Sequence, residues 1–306
     1  MRRIVICFAA LLAAATARAV DISACGTTVA AGDVGVLQAD LDCPTSLFGV
    51  RLLARATLDL NGHALRGGDS TAATVLGVGH DDPAHPSGVG RGNFTIVGPG
   101  EISGTTHPPL PTGTQACVLI NGGRAVVTST SGIVDVHHCV TGIAGALLDS
   151  RRGRLTVDHA AIHDALDEGV SARTIQATNV SVSDNGQIGM GAGGRLRLTD
   201  AEAHGNGIGF FAARSITGSN VTVTSNSLNG VDSCGFGSVS LTNLVATANG
   251  FAGACADRLR LRDSTVTGNV TFDVYSIRRP VLTNSICGSS AGVGSTSTAW
   301  GVCSDD

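Results

Sequence analysis

Lysine is absent from this chain, so every basic residue is an arginine, and the net charge is −4. That balance lacks the basic footprint needed to hold nucleic acid. Aromatic residues make up only 3 % of the chain, whereas there are 42 glycines. No stretch has a helix-forming pattern, so the composition points to short strands and turns. Past the N-terminus no apolar run is long enough to cross a bilayer. No C-x-x-C spacing occurs, which argues against a structural zinc site.

What is present begins with an export signal. Arg2 and Arg3 form a basic start, residues 4–15 an apolar core, and Ala17-Arg18-Ala19 an A-x-A cleavage site. The mature chain is expected to start at Val20, without a membrane span, and to be secreted or periplasmic. Loss of Cys7 with residues 1–19 leaves an even set of cysteines for an oxidising compartment: Cys25, Cys43, Cys117, Cys139, Cys234, Cys255, Cys287 and Cys303.

One pattern organises residues 155–290. Segments beginning at Leu155, Ile175, Leu196, Ile216, Val239, Leu259 and Pro280 follow one another at steps of 20, 21, 20, 23, 20 and 21. Each alternates apolar and polar residues, as a strand with one buried face does. Each bends at an Asx position (Asn179, Asp200, Asn220, Asn243, Asp263, Asn284), where a short polar side chain can bond the backbone. An asparagine then returns at Asn185, Asn206, Asn226, Asn249 and Asn269. A fixed period of short strands is the mark of a solenoid, in which each coil buries its apolar face on the next. Stacked at about 4.8 Å, those asparagines fall in one inward column and bond one another. The same spacing lies within reach of a disulfide and favours sequential pairing: Cys25–Cys43, Cys117–Cys139, Cys234–Cys255 and Cys287–Cys303.

The asparagine ladder and the strand Leu58-Asp59-Leu60-Asn61-Gly62-His63-Ala64-Leu65 resemble the right-handed parallel β-helix of the pectate-lyase-like superfamily, in its bacterial secreted repeat form. The expected fold is all-β, a single right-handed parallel β-helix of roughly ten coils over residues 51–290. Residues 20–50 are expected to cap the N-terminal end and residues 291–306 the C-terminal end, with Trp300 over the last coil. Loops inserted near 67–92, with His80 and His85, and near 105–115, with His107, are expected to wall a groove.

Polar residues crowd the early coils. His163, Ser183 and His204 fall in one outward column and Asp164 and Asp184 in the next, with His137 and His138 preceding them. Asp167 and Glu168 lie in the turn beyond. Only neighbouring coils are close enough to share a ligand. The resemblance implies proton abstraction beside a uronate carboxylate. His163 would be the base, with His137, Asp164 and Asp184 around it. His138, Asp167, Glu168 and His204 would contact substrate, and the carboxylates would gather a cation such as calcium. The competing reading is that outward solenoid positions must be polar whatever they do. Arg195, Arg197, Arg260 and Arg262 are likewise either solvated or turned to an acidic polymer. Phe210 and Phe211 are expected to pack beside Met190 and Val231.

The sequence also departs from the known enzymes of this superfamily. It lacks the polygalacturonase aspartate set, the Asp-Pro-His-Asp epimerase motif and the lysine of some lyases. Two functions therefore remain open. One is a carbohydrate-interacting or surface-structural module. The other is a lyase, C5-epimerase or glycoside hydrolase acting on an acidic polysaccharide.

Overall fold

A computed structural model describes residues 17–68, 72–78, 92–105, 116–121, 123–145, 153–292 and 299–306. Most of the expected export segment and of the two expected insertions, with His80, His85 and His107, lies outside the described residues.

The described chain winds into a right-handed parallel β-helix without a helical segment. Each coil carries three faces in order, here I, II and III. Face I starts with Ala19–Ile22, Val34–Leu37 and Thr57–Asp59, paired in parallel. Face II starts with Leu41–Cys43 and Ala64–Gly67. Face III starts with Thr27–Val29, Phe48–Leu52 and Ala73–Val78. Later strands such as Val170–Ser183 and Ile188–His204 run round the corners through more than one face.

The alignment read from the sequence is the structural register. Leu155, Ile175, Leu196, Ile216, Val239 and Leu259 pair successively on face I. All are buried, as alternation requires of the inward set. Phe210 is fully buried on face III, between Met190 and Val231. The boundary expected at residue 51 is not observed by the stack. Residues 20–50 are themselves coiled and pair in register with the strands that follow, so Leu58 faces Gly35 and does not open the helix. Their short strands hide the period there.

Corners are made by left-handed residues. Between faces I and II, His159, Asn179, Asp200, Asn220, Asn243, Asp263 and Asn284 all have φ between 49° and 55°. Asx side chains tolerate that region by bonding locally. Here they also bond between coils, Asn220 Nδ2 donating to Asp200 Oδ1 at 2.7 Å and Asn243 Nδ2 to Asn220 Oδ1 at 2.9 Å.

Between faces II and III stands the inward ladder. Asn185, Asn206, Asn226 and Asn249 are buried and Asn269 is half-buried. Each Nδ2 donates to the next Oδ1, at 2.9, 3.1, 2.9 and 2.8 Å in turn. The next backbone amide of each preceding turn is also held, as from Asn185 N to Asn206 Oδ1. The column ends on Asp273, whose Oδ1 accepts from Asn269 N and Nδ2 while Oδ2 accepts from Gly288 N and Ser289 N. A carboxylate suits this place because it is all acceptor.

The cysteines pair in sequential order, with Cα separations of 5.6, 5.6, 5.3 and 4.9 Å. At the C-terminal end Trp300 N donates to Ser290 Oγ, and the Asp306 carboxylate accepts from Ser290, Val302 and Cys303. Among the described residues no helix is long and apolar enough to cross a membrane.

Candidate functional site

Face II presents two outward columns. Strand pairing aligns Asp42, Arg66, Ser103, His137, His163, Ser183, His204 and Thr224 in one. The other, two residues earlier on each strand, aligns Glu101, Asp135, Ala161, Ser181 and Glu202. Side chains two apart on a strand share a face, so the columns stand side by side.

A connected line of charged and imidazole groups runs down them. Asp42 Oδ1 meets Arg66 Nη1 at 3.4 Å, and Arg66 Nε donates to Glu101 Oε1 at 3.1 Å. Glu101 also accepts from Ser103 Oγ at 3.0 Å and lies 3.5 Å from His137 Nε2. His137 Nδ1 bonds His138 Nδ1, and its ring stacks on that of His163. His163 in turn sits between two carboxylates, Nδ1 to Asp164 Oδ2 at 2.7 Å and Nε2 to Asp135 Oδ1 at 3.0 Å.

These neighbours set the protons. Burial disfavours the charged form of His163, but its bond to Asp164 and the charge of Asp135 outweigh it, and its pKa is raised. Burial dominates at His137 and lowers its pKa, opposed by Asp135 and Glu101. Burial likewise raises the Glu101 carboxyl, but Arg66 and Ser103 outweigh it and leave it lowered. His137 is thus neutral where His163 is charged. A proton on Nε2 of His137, which faces Glu101, would leave its Nδ1 to accept from Nδ1–H of His138. The free lone pair of this relay is then Nε2 of His138, an exposed residue at φ 53°.

The structure therefore brings His137, His138, His163 and Asp164 together and adds Arg66, Glu101 and Asp135. His163, expected as the base, has both ring nitrogens engaged by carboxylates, which leaves it no free acceptor. His204 shares the column, but no hydrogen bond or ion pair among the described residues joins it to the line. Asp184, like Asp164, is a left-handed corner residue, with φ 54°. Its carboxylate lies over Gly205, where an added Cβ would meet Oδ1 at 2.2 Å. Asp167 and Glu168 lead into face III, and burial raises the Glu168 carboxyl against a bond from Ser171.

The acidic residues expected to gather a cation do not converge. Among the described residues the trio with ligand atoms within 4.8 Å of one another is Asp232, Cys234 and Cys255. Its two sulfurs are already joined to each other, so neither set fits a metal. A cavity of about 560 Å³ lies away from the histidines, among arginines where face III turns into face I.

No protein-family model and no curated protein matches the chain. Among solved structures it is similar to the A-module of a mannuronan C-5 epimerase from Azotobacter vinelandii. The TM-score is 0.57 over 85 % of this chain and 81 % of that one, at 14 % identity. Likeness at that identity is one of fold, and the parallel β-helix is the architecture both share.

Proposed function

We propose that the protein is an exported, polysaccharide-interacting β-helix whose glycan lies along face II. The observation that carries this reading is the file of polar side chains from Asp42 to Thr224, one per coil along a parallel sheet and exposed or half-buried at every coil but that of the buried Ser103. A surface that repeats along an axis suits a polymer that does the same. Four disulfides support an extracellular or periplasmic setting. The test is affinity electrophoresis or calorimetry against acidic and neutral polysaccharides, with the wild type and His138→Ala/His163→Ala. Binding weakened at least tenfold in the double variant supports the reading. Unchanged binding removes face II as the contact.

A second reading is favoured by the opposed protonation of His137 and His163. Environments that push two titratable neighbours apart are how acid and base roles are divided. His138 Nε2, backed by His137 and Glu101, would take the proton beside a uronate carboxylate, while charged His163 and Arg66 offset the developing negative charge. Elimination of the glycosidic bond then makes a lyase, and return of a proton to the opposite face makes a C5-epimerase. Absorbance of unsaturated products, reducing ends and proton exchange at the abstracted position separate these outcomes. A binding protein shows none of them.

A further inference from the structure

The edge where face III turns into face I carries one arginine per coil over four successive coils, placed alternately. Gly153 precedes Arg154, Arg173 precedes Thr174, Gly194 precedes Arg195 and Arg214 precedes Ser215. Strand pairing stacks Arg154, Thr174, Arg195 and Ser215 in one column. Turn bonds stack the residues before them, Thr174 N reaching Gly153 O and Arg214 N reaching Gly194 O. Over these four coils, wherever one column has arginine the other has a small residue, so these guanidiniums zigzag across a cleft; on the coil before, Arg124 pairs with Arg154 in the same column.

The glycines are required by this packing. A Cβ on Gly194 would come within 2.8 Å of Arg173 O, and one on Gly237, at the next coil, within 1.9 Å of Arg214 O. The cleft they open, about 560 Å³, is lined by Arg154, Arg173, Arg195, Arg197 and Arg214 and, among the described residues, by no acidic or aromatic one. Among the described residues none of the five makes an ion pair. A second hollow of about 380 Å³ continues past Arg214 and contains Asp257 beside Arg258 and Arg278. Asp257 therefore bounds the cleft on its C-terminal side, and the four coils from Arg154 to Arg214 span roughly 14 Å between first and last at the spacing of stacked strands.

We propose that this cleft binds the oxyanion groups of an anionic glycan, one group per one or two coils, held by guanidinium forks. Arginine presents planar donor pairs that match carboxylate or sulfate. Several like charges set a coil apart repel one another, and a ligand with repeating negative charge relieves that strain. A lone small anion would engage only two of them. Single-stranded nucleic acid would need ring faces to stack on, and the lining has none. The inference rests on the reading that the protein engages a polysaccharide, but not on face II being the place where it does so.

The test measures binding of polygalacturonate, dextran sulfate, neutral dextran and a single-stranded oligodeoxynucleotide by calorimetry at low and high salt. Arg173→Ala/Arg214→Ala is compared with Arg55→Ala/Arg279→Ala, which removes the same charge elsewhere. The expected result is salt-sensitive binding of the carboxylated or the sulfated glycan, weakened at least tenfold by the first variant and less than twofold by the second. Which of the two glycans binds identifies the oxyanion. Arg173→Lys/Arg214→Lys retains charge and loses the fork, and should fall between them. Equal loss in both alanine variants, or equal binding of the oligonucleotide, overturns the proposal. Binding of neutral dextran alone overturns it while leaving the polysaccharide reading in place, and binding of none of the polysaccharides overturns both.

Discussion

His163 lies flat on His137, ring centroids 5.0 Å apart and planes 11° from parallel. Stacking of two imidazoles one coil apart is tolerable only when one of them is uncharged. The surrounding carboxylates decide which, because Asp164 and Asp135 both face His163.

The two rings should therefore titrate on opposite sides of the ordinary histidine value of 6.5, His163 above it and His137 below. For His163 the folded pKa is raised, so its contribution to stability is complete below that value and is lost as pH rises through its folded pKa. For His137 the folded pKa is lowered, so its contribution is present above the ordinary value and is lost as pH falls through it. Together they give a maximum near the ordinary value. Proton NMR of the ring Cε1–H signals reads both midpoints, and Asp164→Asn should move only that of His163 substantially, downwards. A shared midpoint would remove the assignment of charge within the pair.

Removing a rung of the inner ladder should cost far more than removing an outward histidine. Asn206 accepts from Asn185 N and Nδ2 and donates to Asn226 Oδ1, Val182 O and His204 O. Asn206→Ala strands those partners in a buried turn and should cost about 1–3 kcal/mol. His163→Ala removes surface ion pairs and should change stability by no more than about 1 kcal/mol. Chemical denaturation of both variants checks the contrast, and equal losses would mean that the histidine column is structural.

Asp273 offers a sharper test, because its near-isostere is predicted to fail. Four N–H donors converge on its two oxygens. Asp273→Asn turns an NH₂ group towards two of them and so should destabilise by about 1.5–3 kcal/mol, close to Asp273→Ala. A neutral Asn variant in thermal melts would show that charge and acceptor count do not matter there.

Non-reducing peptide mapping should recover Cys25–Cys43, Cys117–Cys139, Cys234–Cys255 and Cys287–Cys303. Replacing Cys117 and Cys139 together by serine should lower stability by about 2–4 kcal/mol. Free thiols at these positions in protein isolated without reductant would contradict the pairing.

Much of this was legible in the sequence, and the reason is mechanical. Where coils follow at nearly constant length, residue spacing is spatial register, so the His163–Ser183–His204 column and the asparagine ladder could be read directly. Arg66 and Glu101 could not, because 35 residues separate two side chains that touch, and the insertion between them breaks the count. Asp135 was accessible, since it stands two residues before His137 on the same strand face. The corner geometry of Asp164 and Asp184 was accessible too, by the logic that placed the Asx column between faces I and II. The protonation of His163 was not. It depends on which carboxylate oxygens lie within about 3 Å, a distance at which charge pairing begins to outweigh burial.

The irregularities in the strands have a consequence of their own. The pairing slips between Ser233 and Ser238, and again between Ser129 and Val134, yet downstream of each slip the columns resume, with Ser238 opposite both Ser215 and Arg258. Height along the axis is thus graduated in turns and not in residues, like a ruler whose marks are unaffected by what hangs from its edge. A peptide spliced into the Gly235 corner would be displayed at a fixed height, leaving every side chain above and below it at its own mark.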